Sequence, residues 1–184
     1  DQNAARLFYA NAALQGHIIA GEDASNAFGE APRPKQQYFI RPDAAFHHWW
    51  TSCLGHPPIP HDFVVPVLRN MQGHPEAPRL WSIHIHRMLQ HDLNLRPTTH
   101  EPCLYSGLQD GHRIFLIRQV DDFAISAPML ELANKFFARL DDLLLEPFKM
   151  QGVINYYNGI NLRQSRDFIT VDCQMYLQRV FERH

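Results

Sequence analysis

The sequence predicts an α+β domain with a largely antiparallel sheet backed by helices, and three observations carry that expectation. Apolar runs of strand length meet across tight turns, at Gln109-Asp110-Gly111 and at Asp121-Asp122, as antiparallel hairpins do. Two longer segments, Arg79 to Leu95 and Met129 to Leu145, place their apolar residues on one helical stripe. Strands and helices alternate irregularly, without the regular strand-helix-strand repeat of a parallel sheet.

Taken in order, Asn3 to Gln15 sets Ala5, Leu7, Phe8, Ala12 and Leu14 in a helical pattern that Gly16 ends. His17 to Ala20 is a short apolar strand running into Gly21-Glu22-Asp23-Ala24-Ser25-Asn26-Ala27-Phe28. Residues 29–66 carry seven of the chain's 13 prolines together with His47, His48, Cys53, His56 and His61, so long regular elements are not expected there. Within that region Gln37 to Pro42 suits one edge strand. A strand from Val64 to Leu68 leads through a Gly- and Pro-marked turn into the helix that starts near Arg79. The strand reaching Asp121 and its partner Phe123 to Ala127 follow the loop and strand at His100 to Tyr105. Ser126 and Pro128 then suit the start of the helix with Ala133, Phe136, Phe137, Leu140 and Leu144 on one side. A hairpin over Ile154 to Leu162 and a strand over Phe168 to Val171 come next, and Asp172 caps a last helix whose Cys173, Tyr176, Leu177, Val180 and Phe181 share a face.

Composition narrows the function. The chain's 184 residues and 45% hydrophobic content suit one domain with a sizeable core. A formal charge of -2 gives no global basic field for holding nucleic acid. Three cysteines cannot all pair, which suits a reducing compartment, and no apolar run approaches the ~20 residues that cross a bilayer. The chain therefore reads as soluble and intracellular, with no membrane contact. Its helix-like start without an initiator Met suggests a piece of a longer polypeptide.

The chemistry concentrates at Asp121-Asp122. Two ionised carboxylates about 4 Å apart repel by roughly 1 kcal/mol in water and roughly 4 kcal/mol at an effective dielectric of 20. A half-buried hairpin tip gains from a divalent cation that reverses the sign of that interaction. Asp also favours solvated turns, as at Asp141-Asp142, and Asp23 suits a helix cap or a turn as well as a ligand.

Five blocks in this order resemble the reverse transcriptases of copia-type retrotransposons. They are Asp23 to Phe28, Gly73 to Trp81 (Gly-His-Pro-Glu-Ala-Pro-Arg-Leu-Trp), His100 to Tyr105 with its Glu-Pro-Cys-Leu-Tyr, the Asp121-Asp122 hairpin, and Tyr156-Tyr157-Asn158-Gly159-Ile160. The resemblance implies a polymerase palm over residues 1–184, with 29–66 as an irregular insertion and a thumb beginning at 163–184. Fingers and ribonuclease H would lie outside the chain. It implies RNA-directed DNA polymerase activity, two-metal nucleotidyl transfer to a primer 3'-hydroxyl. Asp23, Asp121 and Asp122 would be the catalytic metal ligands, with the Ala24 carbonyl helping to hold two Mg²⁺ that Mn²⁺ can replace.

By the same resemblance Phe28, Gln72, Gly73 and Arg79 would bind the nucleotide, with Phe28 excluding a 2'-hydroxyl. Tyr157, Asn158 and Gly159 would grip the primer, and Lys149 would be the general acid toward pyrophosphate. Implied partners are an RNA or DNA template with primer, deoxynucleoside triphosphates, and the fingers, thumb, ribonuclease H and integrase of a polyprotein. The implied place is a cytoplasmic virus-like particle or the nucleus. Gln119 stands where the family has Tyr, Asn158 where it has Leu, and Pro75-Glu76 where it has Lys-Gln. Two rival readings stay open: a palm that binds nucleic acid or protein without catalysis, and a His-rich zinc protein built on the 47–61 imidazoles and Cys53.

Overall fold

The computed structural model describes residues 2–165 and 167–183. It is an α+β chain whose main sheet has six strands: β1 (Ile18–Asp23), β4 (Arg96–Pro97), β5 (Leu104–Gln109), β6 (His112–Gln119), β7 (Asp122–Ala127) and β8 (Lys149–Val153). Their order is β4-β5-β6-β7-β1-β8, and every neighbouring pair is antiparallel. Strand β1 lies inside the sheet, between β7 and β8, so Ile19, Ala20, Gly21 and Glu22 are all buried.

The helices divide over the two faces. On one lie α2 (Ala27–Glu30), α4 (Ala77–Arg87) and α5 (Leu130–Asp141), whose Trp81, Ile85, Leu132, Phe136, Phe137 and Leu140 pack with Ile114, Leu116, Phe123 and Ile125 of the sheet. On the other lie α1 (Gln2–Leu14) and a three-stranded antiparallel sheet of β9 (Tyr156–Tyr157), β10 (Ile160–Gln164) and β11 (Ile169–Asp172). There Phe8, Tyr9, Ala12, Ile19, Ile117, Ala124, Tyr157 and Leu162 form a second core. The residues of β7 alternate between these cores, as a strand buried on both faces requires.

Of the two tight turns expected from sequence, the one at Gln109-Asp110-Gly111 is present, and the one at Asp121-Asp122 forms a residue earlier, over Val120 and Asp121, with Asp122 already in β7 and paired with Gln119. Asp110 and Gly111 both have positive φ, at 49° and 81°, between the paired Gln109 and His112, the backbone a type I′ hairpin needs. Asn158 and Gly159 repeat that geometry between Tyr157 and Ile160. Several boundaries differ. The helix expected from Arg79 to Leu95 is regular over Ala77–Arg87 and widens into a π-helical turn over Met88–Asp92. The irregular 29–66 region contains the ribbon of β2 (Phe39–Ile40) and β3 (Val65–Pro66), a short α3 (Ala44–His48), and a π-helical turn over Trp49–Cys53. Residue 163, the expected start of a thumb, falls inside β10. The last helix, α6 (Gln174–Arg183), begins where the Asp172 carboxylate accepts from the Gln174 amide at 3.0 Å.

Gly21 is where β1 meets the rest of the molecule most closely. A Cβ there would lie 2.6 Å from Ile154 Cγ2 and 3.0 Å from the Phe123 carbonyl oxygen. Gly21→Ala is therefore expected to destabilise the fold by about 1–3 kcal/mol, read as a lowered denaturation midpoint at unchanged slope.

Candidate active site

Strand register brings the first carboxylate to the other two. Asp23, the last residue of β1, pairs directly with Asp122, the first residue of β7. Opposed residues of an antiparallel pair share one face, so these two side chains leave the sheet together. The row continues on both sides, because Asp122 pairs with Gln119 of β6 and Asp23 with Lys149 of β8. Gln119, Asp122, Asp23 and Lys149 thus stand side by side across four adjacent strands at one end of the sheet. Asp121 occupies the hairpin tip beside them, exposed, while Asp23 and Asp122 are half-buried.

The tip is held by its carbonyls. The Trp81 indole N–H donates to the Val120 carbonyl at 2.6 Å, and the Ala24 amide donates to the Asp121 carbonyl at 2.9 Å. From the opposite face the Tyr157 hydroxyl reaches the Asp122 carbonyl at 3.5 Å and the Ile117 carbonyl at 3.4 Å. Val120 has φ 55°, a left-handed conformation that costs a β-branched residue on the order of 1–3 kcal/mol.

Electrostatics couple the three acids. Burial raises the Asp122 carboxyl above its ordinary value, and the negative charges of Asp121 and Asp23 raise it further. Carboxylate oxygens are the donors that hard divalent cations take, and a cation here would relieve all three causes at once. Among the described residues, however, no three His, Cys, Asp or Glu side chains are gathered into a ready metal-holding group. The acids fit a divalent cation in donor type and in mutual repulsion, not as a preassembled cage.

The remaining expected site residues fall into three groups. Phe28, on α2, is half-buried against the helix-side core, and α2 packs on α4. Gln72, Gly73 and Arg79 are exposed at and before the start of α4. Local hydrogen bonds and a ring contact shape their loop. The Asn70 side chain donates to the Ala77 carbonyl at 3.4 Å, the Glu76 amide donates to His74 Nδ1 at 3.1 Å, and the His74 ring lies 4.2 Å from that of Tyr38.

The Tyr157 side chain, 5% exposed, is a core and hairpin anchor, while Asn158 and Gly159 of that trio face solvent. Gln119 and Asn158 meet, because the Asn158 amide donates to Gln119 Oε1 at 2.7 Å. Both line a cavity of about 670 Å³ between α1, β6 and the three-stranded sheet, and none of the three acids lines it.

Glu22 and Gln164 were missed from the sequence. Glu22 points to the helix-side face, 2% exposed, with Oε2 unpartnered, and burial followed by the nearby Asp141 charge pushes its carboxyl up to about 8. The Gln164 side chain bonds both the amide and the carbonyl of Ile19, at 2.7 and 2.9 Å, tying β10 to the acid-bearing strand. Strand alternation signals Glu22, and nothing local in the sequence signals Gln164.

The His-rich loop is occupied with its own packing. His56 lies 4.2 Å from the Trp50 ring, His47 lies 5.5 Å from His61, and His48 Nδ1 is 3.2 Å from the Ser52 hydroxyl. No helix among the described residues is long and apolar enough to cross a membrane. Comparison with known protein families and with curated proteins finds no match to this chain.

Proposed function

We propose that the chain is the palm of an RNA-directed DNA polymerase of the copia-retrotransposon type, transferring a nucleotide to a primer 3'-hydroxyl. The observation that carries this reading is the row Asp122–Asp23–Lys149, assembled by register from three separate segments, with Asp121 at its edge. In this reading Asp23, Asp121 and Asp122 hold two Mg²⁺ or Mn²⁺, with the Ala24 carbonyl a further oxygen donor. Bound there, the ions would acidify the primer hydroxyl and neutralise charge on the triphosphate and departing pyrophosphate.

The protein's own groups do the rest. Lys149, exposed and opposite Asp23, gives a proton to the leaving pyrophosphate oxygen. Gln72, the Gly73 backbone and Arg79 orient the triphosphate, and the Phe28 ring excludes a 2'-hydroxyl by volume. Asn158 and Gly159 meet the primer backbone, and the bond from Asn158 to Gln119 fixes that turn against the catalytic hairpin. Template, primer and deoxynucleoside triphosphates are the partners, and neighbouring polyprotein domains would supply the fingers and the rest of the thumb.

Protonation and cation binding compete at Asp122. Its carboxyl is raised in the folded protein, so Mn²⁺ affinity weakens as pH falls through that raised carboxyl range. The test is thermal unfolding with and without Mn²⁺ at several pH values, paired with templated primer extension. Stabilisation by Mn²⁺ that fades on acidification, together with extension, is the expected result. The absence of any Mn²⁺ effect from Asp23, Asp121 or Asp122 overturns the polymerase reading. Stabilisation without extension, even after neighbouring domains are supplied, leaves the non-catalytic palm.

A further inference from the structure

The geometry points to Trp81 as a positioning residue: its indole N–H holds the strained turn at Val120 and thereby aims the carboxylates at 121 and 122. What those carboxylates bind rests on the polymerase reading; the turn itself does not. Because Gln119 pairs with Asp122, residues 120 and 121 are the whole loop of the β6–β7 hairpin. A positive φ at the first loop position is where glycine is the usual residue, and here Val120 holds it at 55°. The Val120 side chain is 43% exposed, so its own packing does not enforce the conformation.

The surrounding bonds do. The Ala24 amide and the Tyr157 hydroxyl fix the carbonyls of 121 and 122, and Trp81 alone among these three acts on the carbonyl of Val120 itself. Trp81 is 1% exposed, so its N–H has no water to turn to, and burying the ring commits that donor to the turn. Core packing and hairpin geometry are satisfied by one side chain. A Phe at this position would supply the packing and leave the Val120 carbonyl unpaired.

The test compares Trp81→Phe, Val120→Gly and the double variant with the original protein. Two readouts are used: hydrogen exchange of the Ala24 amide, which reports its bond to Asp121, and titration with Mn²⁺. Trp81→Phe is expected to speed Ala24 exchange and weaken Mn²⁺ binding, each by roughly tenfold, and Val120→Gly in the same chain to restore both because the turn no longer needs holding. Should Trp81→Phe fail to fold, folding of the double variant is the same rescue. Unchanged exchange in Trp81→Phe, or a defect that Val120→Gly leaves undiminished, shows that Trp81 only fills the core and overturns the proposal. If the original protein binds no Mn²⁺ while the exchange rescue holds, the polymerase reading fails and the positioning role stands.

Discussion

If the proposed polymerase reading holds, Asp122→Asn is expected to lower primer extension on the order of a thousandfold or more while the chain stays folded, because the proposed cation site would lose a charged ligand that no neighbour replaces. The same change raises the melting temperature in metal-free buffer. The folded state raises the Asp122 carboxyl above its unfolded value, so ionising it weakens the fold. That penalty is absent below the unfolded pKa and complete above the folded one. The gain from Asp122→Asn therefore grows with pH through the raised carboxyl range and reverses when Mn²⁺ is added. Opposite signs in chelator and in Mn²⁺ are the signature; equal shifts in both would mean that Asp122 is an ordinary turn acid.

The larger pH effect belongs to Glu22. Its carboxyl is pushed up to about 8 in the folded protein, against an unfolded value of about 4.5. Between those values the folded chain holds a proton that the unfolded chain has released, so stability falls as pH rises from about 4.5 to about 8. Over the whole window the loss is of order 3–5 kcal/mol, a large part of what a domain of this size possesses. Glu22→Gln keeps the shape and has no charge to ionise. Urea unfolding should show that variant close to the original protein near pH 4.5, far more stable near pH 8, and nearly flat between. A parallel pair of curves would show that the Glu22 carboxylate finds compensation in its buried setting.

Much of this architecture is legible in the chain because it is written locally. Asp110-Gly111 has the residues a tight turn requires, and apolar alternation marks β5 to β7. The stripe of Ala133, Phe136, Phe137 and Leu140 marks α5. The acid-bearing strand is visible as an apolar run ending in Asp23. What escaped depends on distant partners. Strand β8 begins with a lysine and includes Gly152, so its pattern is poor, and it is a strand because β1 offers it an edge. The resemblance implies a primer grip at Tyr157, and alternation through β9 and β10 sends its side chain inward, to the back of the hairpin. The indole of Trp81 falls on the apolar stripe of its helix, while its bond to Val120 spans 39 residues and leaves no trace in either neighbourhood.

The interior position of β1 bears on how the chain acquires its shape. Both edges of β1 are taken by segments made roughly a hundred residues or more later, with Ile18 against Ala127 and Asp23 against Lys149. On a ribosome releasing about 5–20 residues per second, the β5–β6–β7 meander can zip by neighbouring hairpins while β1 waits with its amides unshared for several seconds. Closing the sheet is thus a late, long-range event, and the acid row comes into being with it. Kinetic folding probes on β5 and β6 should run ahead of any probe on Asp23, and slow closure leaves an open strand on which chaperones or aggregation can act.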